Sequence, residues 1–269
     1  MAEPAPPATG YQERDVSVRG TSVRLLESGS GSPLLYLHHA GDPGAWTPVL
    51  AALAGHYSVF RPDHPGFGAS DDIGHVESVH ELVFFYLDLL DELGHEQVVL
   101  AGSSLGGWLA ADLAATAPGR VSRLVLAAPA GLRPEAPVPD IFLLSPAELA
   151  ELSFCTGAAR SAALEQAATL AEDPARHQRY LRDRGACAHL AWNPYLHDPK
   201  LEHRLHRVTA PALILWGAQD RICPVSHARR WAGLLPAARL AVIDEAGHLP
   251  LDEQPDAAAK AILTFCAEG

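Results

Sequence analysis

The chain has 269 residues, 48% of them hydrophobic, and its 32 acidic and 20 basic side chains give a formal charge of −12. That length and composition suit one α/β domain with a sizeable core. An acidic chain without a basic run offers nothing to neutralise phosphates, so nucleic acid is not an expected partner. The longest apolar stretches are strand-length or carry charges, as in LVFFYLDLLDEL from Leu82, and no membrane span is expected. Cys155, Cys187, Cys223 and Cys266 show no CxxC spacing, which argues for reduced thiols rather than a disulfide scaffold or zinc site.

The opening MAEPAPPATG lacks a basic n-region and an apolar h-region, so residues 1–10 read as a disordered Pro/Ala-rich leader and a cytoplasmic location is expected. Lys200 and Lys260 are the only lysines, and with abundant Ala, Gly and Pro they suggest a GC-rich bacterial source. Gln12–Val18 and Ser22–Glu27 alternate and join through Arg19-Gly20-Thr21, predicting an antiparallel pair at one sheet edge. PLLYLHH from Pro33 reads as a buried strand, followed by a helix near Trp46–Leu53 and the strand YSVFRPD. This βαβ rhythm, which implies parallel strands, continues with a helix over Val79–Leu93, the strand QVVLAG, a helix from Ser104 to Thr116 and the strand RLVLAAP.

From Gly131 the pattern turns Pro-punctuated and helical. Residues 132–208 are read as a helical cap inserted after the sixth strand, with 11–131 and 209–269 forming the core. PALILWG, a helix over His227–Leu235, ARLAVID and a helix over Pro255–Cys266 complete the sheet.

Chemistry concentrates at Gly102-Ser103-Ser104-Leu105-Gly106, a GxSxG between a predicted strand and a predicted helix. Glycines at both ends permit a sharp turn that lifts the Ser104 side chain, and the helix beginning there offers the Leu105 amide to a developing oxyanion. A serine hydroxyl needs a base, normally a histidine oriented by a carboxylate. Asp220 follows the strand ending Leu215-Trp216-Gly217, and His248 follows the strand ending at Asp244; both are C-terminal strand ends, where open parallel sheets place active sites. Asp63, Asp244 and Asp252 are competing carboxylates.

The segments LHHAGDPGAW, RPDHPGFGASD, AGSSLGGW, PALILWGAQDRICP and DEAGHLPLDEQP occur in the order found in the α/β-hydrolase superfamily, whose lidded esterase-like and C–C-hydrolase-like members this chain resembles. The resemblance implies an eight-stranded, mostly parallel sheet flanked by helices. It also implies catalysis by Ser104, Asp220 and His248 without a cofactor or metal, and an oxyanion hole of the Leu105 and Ala40 amides. Asp220 fits the family's acid position better than Asp244 or Asp252, and Asp63 falls in a structural loop. Two positions depart from the pattern. His39 stands where the family has Gly, making Gly41 a reserve amide donor and His39 itself a candidate extra donor, and Ser103 stands where many relatives have His.

The other histidines carry no HExxH or similar ligand set, so His177, His189, His197, His203 and His206 are assigned to surface or packing roles. Candidate pocket residues are His39, Ser103, Trp108, Phe142, Phe154 and Trp192, with Tyr195 beside them, implying a medium-sized hydrophobic small molecule. Hydrolysis of a carboxylic ester, lactone or thioester is the leading reading. The second is C–C bond hydrolysis or a related lyase or cyclisation step on a diketone-type metabolite. Relatives that cleave such bonds often have Asn before the nucleophile and an aromatic after the histidine, where this chain has Ser103 and Leu249. A non-catalytic binding module is the third. Oligomeric state is not legible.

Overall fold

The computed structural model describes residues 10–155 and 157–268; the expected leader over residues 1–10 lies, but for Gly10, outside them. In chain order the elements are β1 (Gln12–Val18), β2 (Thr21–Ser28), β3 (Pro33–Leu37), α1 (Pro48–Ala54), β4 (Ser58–Pro62), α2 (Val79–Glu92), β5 (Val98–Ser103), α3 (Leu105–Thr116) and β6 (Val121–Ala127). Helices α4 (Pro146–Ser153), α5 (Gly157–Ala168) and α6 (Pro174–Ala191) follow, then β7 (Ala212–Gly217), α7 (Ser226–Leu234), β8 (Ala238–Ile243), α8 (Pro250–Glu253) and α9 (Pro255–Ala267).

The strands form one sheet in the order β1-β2-β4-β3-β5-β6-β7-β8. β2 runs antiparallel to β1 and to β4, and the remaining pairs are parallel. The β1–β2 hairpin turns where expected, with Arg19 and Gly20 both at positive φ, the geometry a two-residue hairpin needs.

Successive strand residues point to opposite faces, and the core divides accordingly. Leu35, Leu37, Leu100, Leu124, Leu126, Ile214 and Trp216 pack with α2, α3 and α7 on one face. Leu34, Tyr36, Val99, Ala101, Val125, Ala127, Leu213 and Leu215 pack with α1, α8 and α9 on the other. Helix α2 is one-sided: Val79, Leu82, Val83, Tyr86, Leu89 and Leu90 make a buried stripe, and Ser78 caps its start by accepting from the Glu81 amide. Helix α3 is buried on every side except at Thr116, which suits its central place against β3, β5 and β6.

Between β6 and β7 the chain is helical, as expected, and α4 opens on a Ser145/Glu148 capping box. Helix α6 docks onto the loop after β4: Asp183 accepts from the Gly68 amide (2.8 Å) and Arg182 donates to the Gly68 and Ser70 carbonyls. Among the described residues no helix is long and apolar enough to cross a membrane.

Candidate active site

The ends of β3, β5, β7 and β8 open onto one edge of the sheet, and the side chains of Ser104, Asp220 and His248 converge there. Ser104 lies between β5 and α3 at φ 49°, ψ −110°, a region that L-residues rarely adopt. Its amide donates to Ala127 and its carbonyl accepts from Trp108 and Ala130, so the backbone is held in this geometry from both sides. The flanking glycines have a different role from the expected one. Neither has positive φ; each is a close approach, since a Cβ on Gly102 would run into Gly106 and Gly107 backbone, and one on Gly106 into the Leu37 and His38 carbonyls. The turn places its strain on the serine itself.

The Ser104 hydroxyl is 3.0 Å from His248 Nε2, and His248 Nδ1 is 2.9 Å from Asp220 Oδ2. Asp220 Oδ1 accepts from the Ile222 and Cys223 amides, both at 2.8 Å, which fixes the carboxylate and leaves Oδ2 for the imidazole. With Oδ2 facing it, Nδ1 carries the ring proton and Nε2 is left as the acceptor for the hydroxyl. The two loops are tied together by Gln219 N–H to Ala246 O (2.9 Å) and Ala246 N–H to Gln219 Oε1 (3.2 Å).

Leu105 is the first residue of α3, so its amide has no acceptor inside the helix. In the loop after β3, Gly41 N–H donates to His39 Nδ1 (3.2 Å) and Asp42 N–H to His39 O (3.2 Å). That occupies the Gly41 amide, so Gly41 is corrected as reserve donor, and Ala40 is the loop amide that these turn bonds do not use. The loop is braced from below. His64 N–H donates to His38 Nε2 (2.9 Å), His38 Nδ1–H donates to His39 O (2.7 Å), and His64 Nε2–H donates to His38 O (2.9 Å). Tyr86 donates its hydroxyl to His64 Nδ1 at 2.5 Å. Burial, reinforced by the Arg61 charge, holds both imidazoles well below the usual histidine range, consistent with these neutral tautomers.

Asp63 belongs to another structure. Burial opposes its ionisation, but the Arg61 charge and the Ala69 amide outweigh it and hold the carboxyl far below the usual range. Arg61, wholly buried, pairs with Asp63 and with Asp42 (2.6 Å), and so anchors the far end of the β3 loop.

The pocket candidates separate. His39 is buried with Nε2 3.7 Å from Asp252 Oδ2, and burial lowers its proton affinity. Burial and the nearby Asp42 and Glu253 carboxylates push Asp252 up to about 7. Ser103 continues the Val99–Ala101 side of β5 and sits in the packing beside Tyr36. Trp108 fills the core under Gly131, where a Cβ would meet its ring at 2.7 Å or less. Phe142 stacks on Trp192 at 5.3 Å and meets Tyr195 edge-on at 5.9 Å, with Trp192 56% exposed. Phe154 lies at the C-terminus of α4, next to Ser153, whose carbonyl accepts the His248 amide (2.8 Å). Sequence reasoning passed over Glu253 and the His39–Asp252 pair, because no local spacing signals contacts closed across long stretches of chain. Of the histidines set aside as possible ligands, His189 meets the Val76 carbonyl and His197 the Tyr195 carbonyl. Among the described residues no group of three or more His, Cys, Asp or Glu side chains could hold a metal.

The family described as "alpha/beta hydrolase fold" matches residues 33–255. The dihydrolipoyllysine-residue acetyltransferase component of the acetoin cleaving system of Pseudomonas putida is 33% identical over 96% of this chain and 70% of its own length. A 2-hydroxy-6-oxononadienedioate/2-hydroxy-6-oxononatrienedioate hydrolase of Paraburkholderia phymatum is 31% identical over 93% of each chain. A solved structure of a membrane phospholipase A, a bacterial virulence factor, is 26% identical and superposes with a TM-score of 0.77 over 96% of this chain and 86% of that one.

Proposed function

Because this chain belongs to the α/β-hydrolase family, we propose that it is a serine hydrolase acting on a carboxylic ester, lactone or thioester of a medium-sized hydrophobic molecule. The observation that carries this is the unbroken line from Ser104 Oγ through the His248 ring to Asp220, at 3.0 and 2.9 Å. In the reaction, Ser104 Oγ attacks the carbonyl carbon as its proton passes to His248 Nε2. The oxyanion is held by the Leu105 and Ala40 amides, and collapse expels the leaving group, which takes the proton from His248. Water, deprotonated by the same nitrogen, then adds to the acyl-enzyme and releases the acid and free Ser104. Asp220 fixes the tautomer and stabilises the imidazolium.

The aromatic group Phe142, Trp192 and Tyr195, with Phe154 close to the histidine loop, supports an apolar substrate. The segment 132–208 would then act as the cap over the site, as part of the same proposal. Free thiols at all four cysteines fit the cytoplasmic setting that goes with it. C–C bond hydrolysis is the second reading, favoured by the relative from Paraburkholderia phymatum.

Turnover of p-nitrophenyl esters of increasing acyl length, beside fluorophosphonate labelling, tests both. Ester turnover abolished in Ser104→Ala supports the leading reading and sizes the acyl pocket. Labelling at Ser104 without ester turnover moves the assignment to C–C cleavage, and neither signal in the wild type moves it to a binding module.

A further inference from the structure

The triad accounts for Ser104, His248 and Asp220, but not for a carboxylate five residues beyond the histidine that faces two backbone amides from distant parts of the chain. Glu253, partly buried at the end of α8, accepts from the Cys155 amide through Oε1 (2.6 Å) and from the Gly247 amide through Oε2. Cys155 follows the end of α4, and Gly247 precedes His248. One side chain therefore bridges the helical insertion and the loop that carries the base.

Three further contacts make the same join. The His248 amide donates to Ser153 O at 2.8 Å. Arg221, next to Asp220, donates to the Glu151 carbonyl and to Phe154 O (2.8 Å). The segments lie so close that a Cβ on Gly247 would be 2.6 Å from Ser153 O and 3.1 Å from both Cys155 N and Glu253 Oε2. Carbonyls at a helix C-terminus have no intrahelical donors. Here Ser153 O receives its donor from the loop that carries the base, and Glu151 O from the loop that carries the acid.

We propose that Glu253 is a positioning residue, through which the C-terminal end of α4 holds His248 in line with Ser104 and Asp220. A carboxylate suits the task because it presents only acceptors, and both neighbours are N–H donors. On this account the first helix of the insertion is part of the frame of the triad, and any movement of the insertion that leaves the site working must leave the C-terminal end of α4 in place. The inference rests on the serine-hydrolase reading for its catalytic meaning, though the join itself can be measured without turnover.

The test compares wild type, Glu253→Gln and, as a surface change that tolerates folding, Arg221→Ala. Gln keeps the shape but turns one acceptor into a donor facing an amide. Expected in Glu253→Gln is a roughly 10- to 100-fold slower fluorophosphonate labelling and kcat, with KM changed less than about threefold, since a misplaced base affects the reacting geometry and not binding. Amide exchange should accelerate together at Cys155 and at Gly247–His248, and the downfield His248 Nδ1 proton signal should broaden or vanish. Arg221→Ala should shift the same readouts in the same direction by less.

Exchange that accelerates at Cys155 alone, with His248 Nδ1 and labelling unchanged, overturns the proposal. Unchanged labelling and exchange in Arg221→Ala overturn it even where Glu253→Gln fails to fold. A wild type that never labels sinks the serine-hydrolase reading instead, and the exchange and Nδ1 readouts still decide whether α4 holds the histidine.

Discussion

Substituting Ala for Gly217 places a methyl group where the end of β7 meets the histidine loop. A Cβ there would lie 2.7 Å from the Ala246 carbonyl carbon and nearer still to the Ala246 and Gly247 carbonyl oxygens. All three are backbone atoms, so no side chain can swing aside, and relief from the nearest oxygen requires the loop to retreat by roughly 1.5 Å to reach van der Waals distance. His248 follows Gly247 directly, so its ring moves with the loop. A displacement of about 1 Å at a catalytic group costs on the order of 100-fold in rate, while overpacking of this kind costs about 1–3 kcal/mol of stability. The assay is single-turnover acylation of Ser104 by a p-nitrophenyl ester, run beside urea unfolding. Acylation should fall about 100-fold in a variant that remains folded at the assay temperature. Wild-type acylation in a folded Gly217→Ala would show that the loop shifts without moving the imidazole, and would refute the argument from this contact.

Other expectations follow from separate parts of the molecule. Asp220→Asn should lower kcat by about 10⁴-fold through the wrong imidazole tautomer, and His248→Ala should match Ser104→Ala because the triad acts as a unit; full activity in Asp220→Asn would move the acid role elsewhere. Asp252 ionises near 7 in the fold against an ordinary 3.8, so the native state holds its proton more tightly than the unfolded chain. Its contribution is greatest below 3.8 and is lost as pH rises to 7, by ~4 kcal/mol at full value. Solvent reaches the partly exposed side chain and screens it, so that figure is an upper bound. Urea unfolding at pH 4 and pH 8 should therefore show Asp252→Asn gaining stability relative to wild type as pH rises. Arg61→Ala strands Asp42 and Asp63 in the interior and should cost about 3–5 kcal/mol in the same assay.

The elements with clear periodicity were legible from sequence to within a few residues: the alternation in β1 and β2, the apolar runs of the parallel strands, and the i, i+3, i+4 stripe of α2. So was the meeting of Ser104, His248 and Asp220, because each sits just beyond a strand end and parallel pairing brings those ends together. Helix α8 was not, since four residues carry no helical period. The GxSxG spacing was legible as a turn, but not that its glycines are there for close approach while the serine takes the positive φ. The alternation of β5 already places Ser103 with Val99 and Ala101 among the packing of one face. Trp108, one turn along α3 from Ser104, is a pocket candidate by residue type, but a helix buried nearly all round has core on every side. Glu253 and the His39–Asp252 pair were out of reach, because their meaning arises only when residues about 98 and 213 positions apart are brought together.

The backbone at Ser104, φ 49° and ψ −110°, is one that glycine adopts without penalty and serine does not. Strain of this kind is worth about 1–3 kcal/mol, so Ser104→Gly should unfold at higher urea than wild type while losing the hydroxyl proposed as nucleophile. For this chain, selection for thermal robustness alone would run against activity at its central residue. A library screened only for heat tolerance should therefore accumulate inactive glycine variants at position 104.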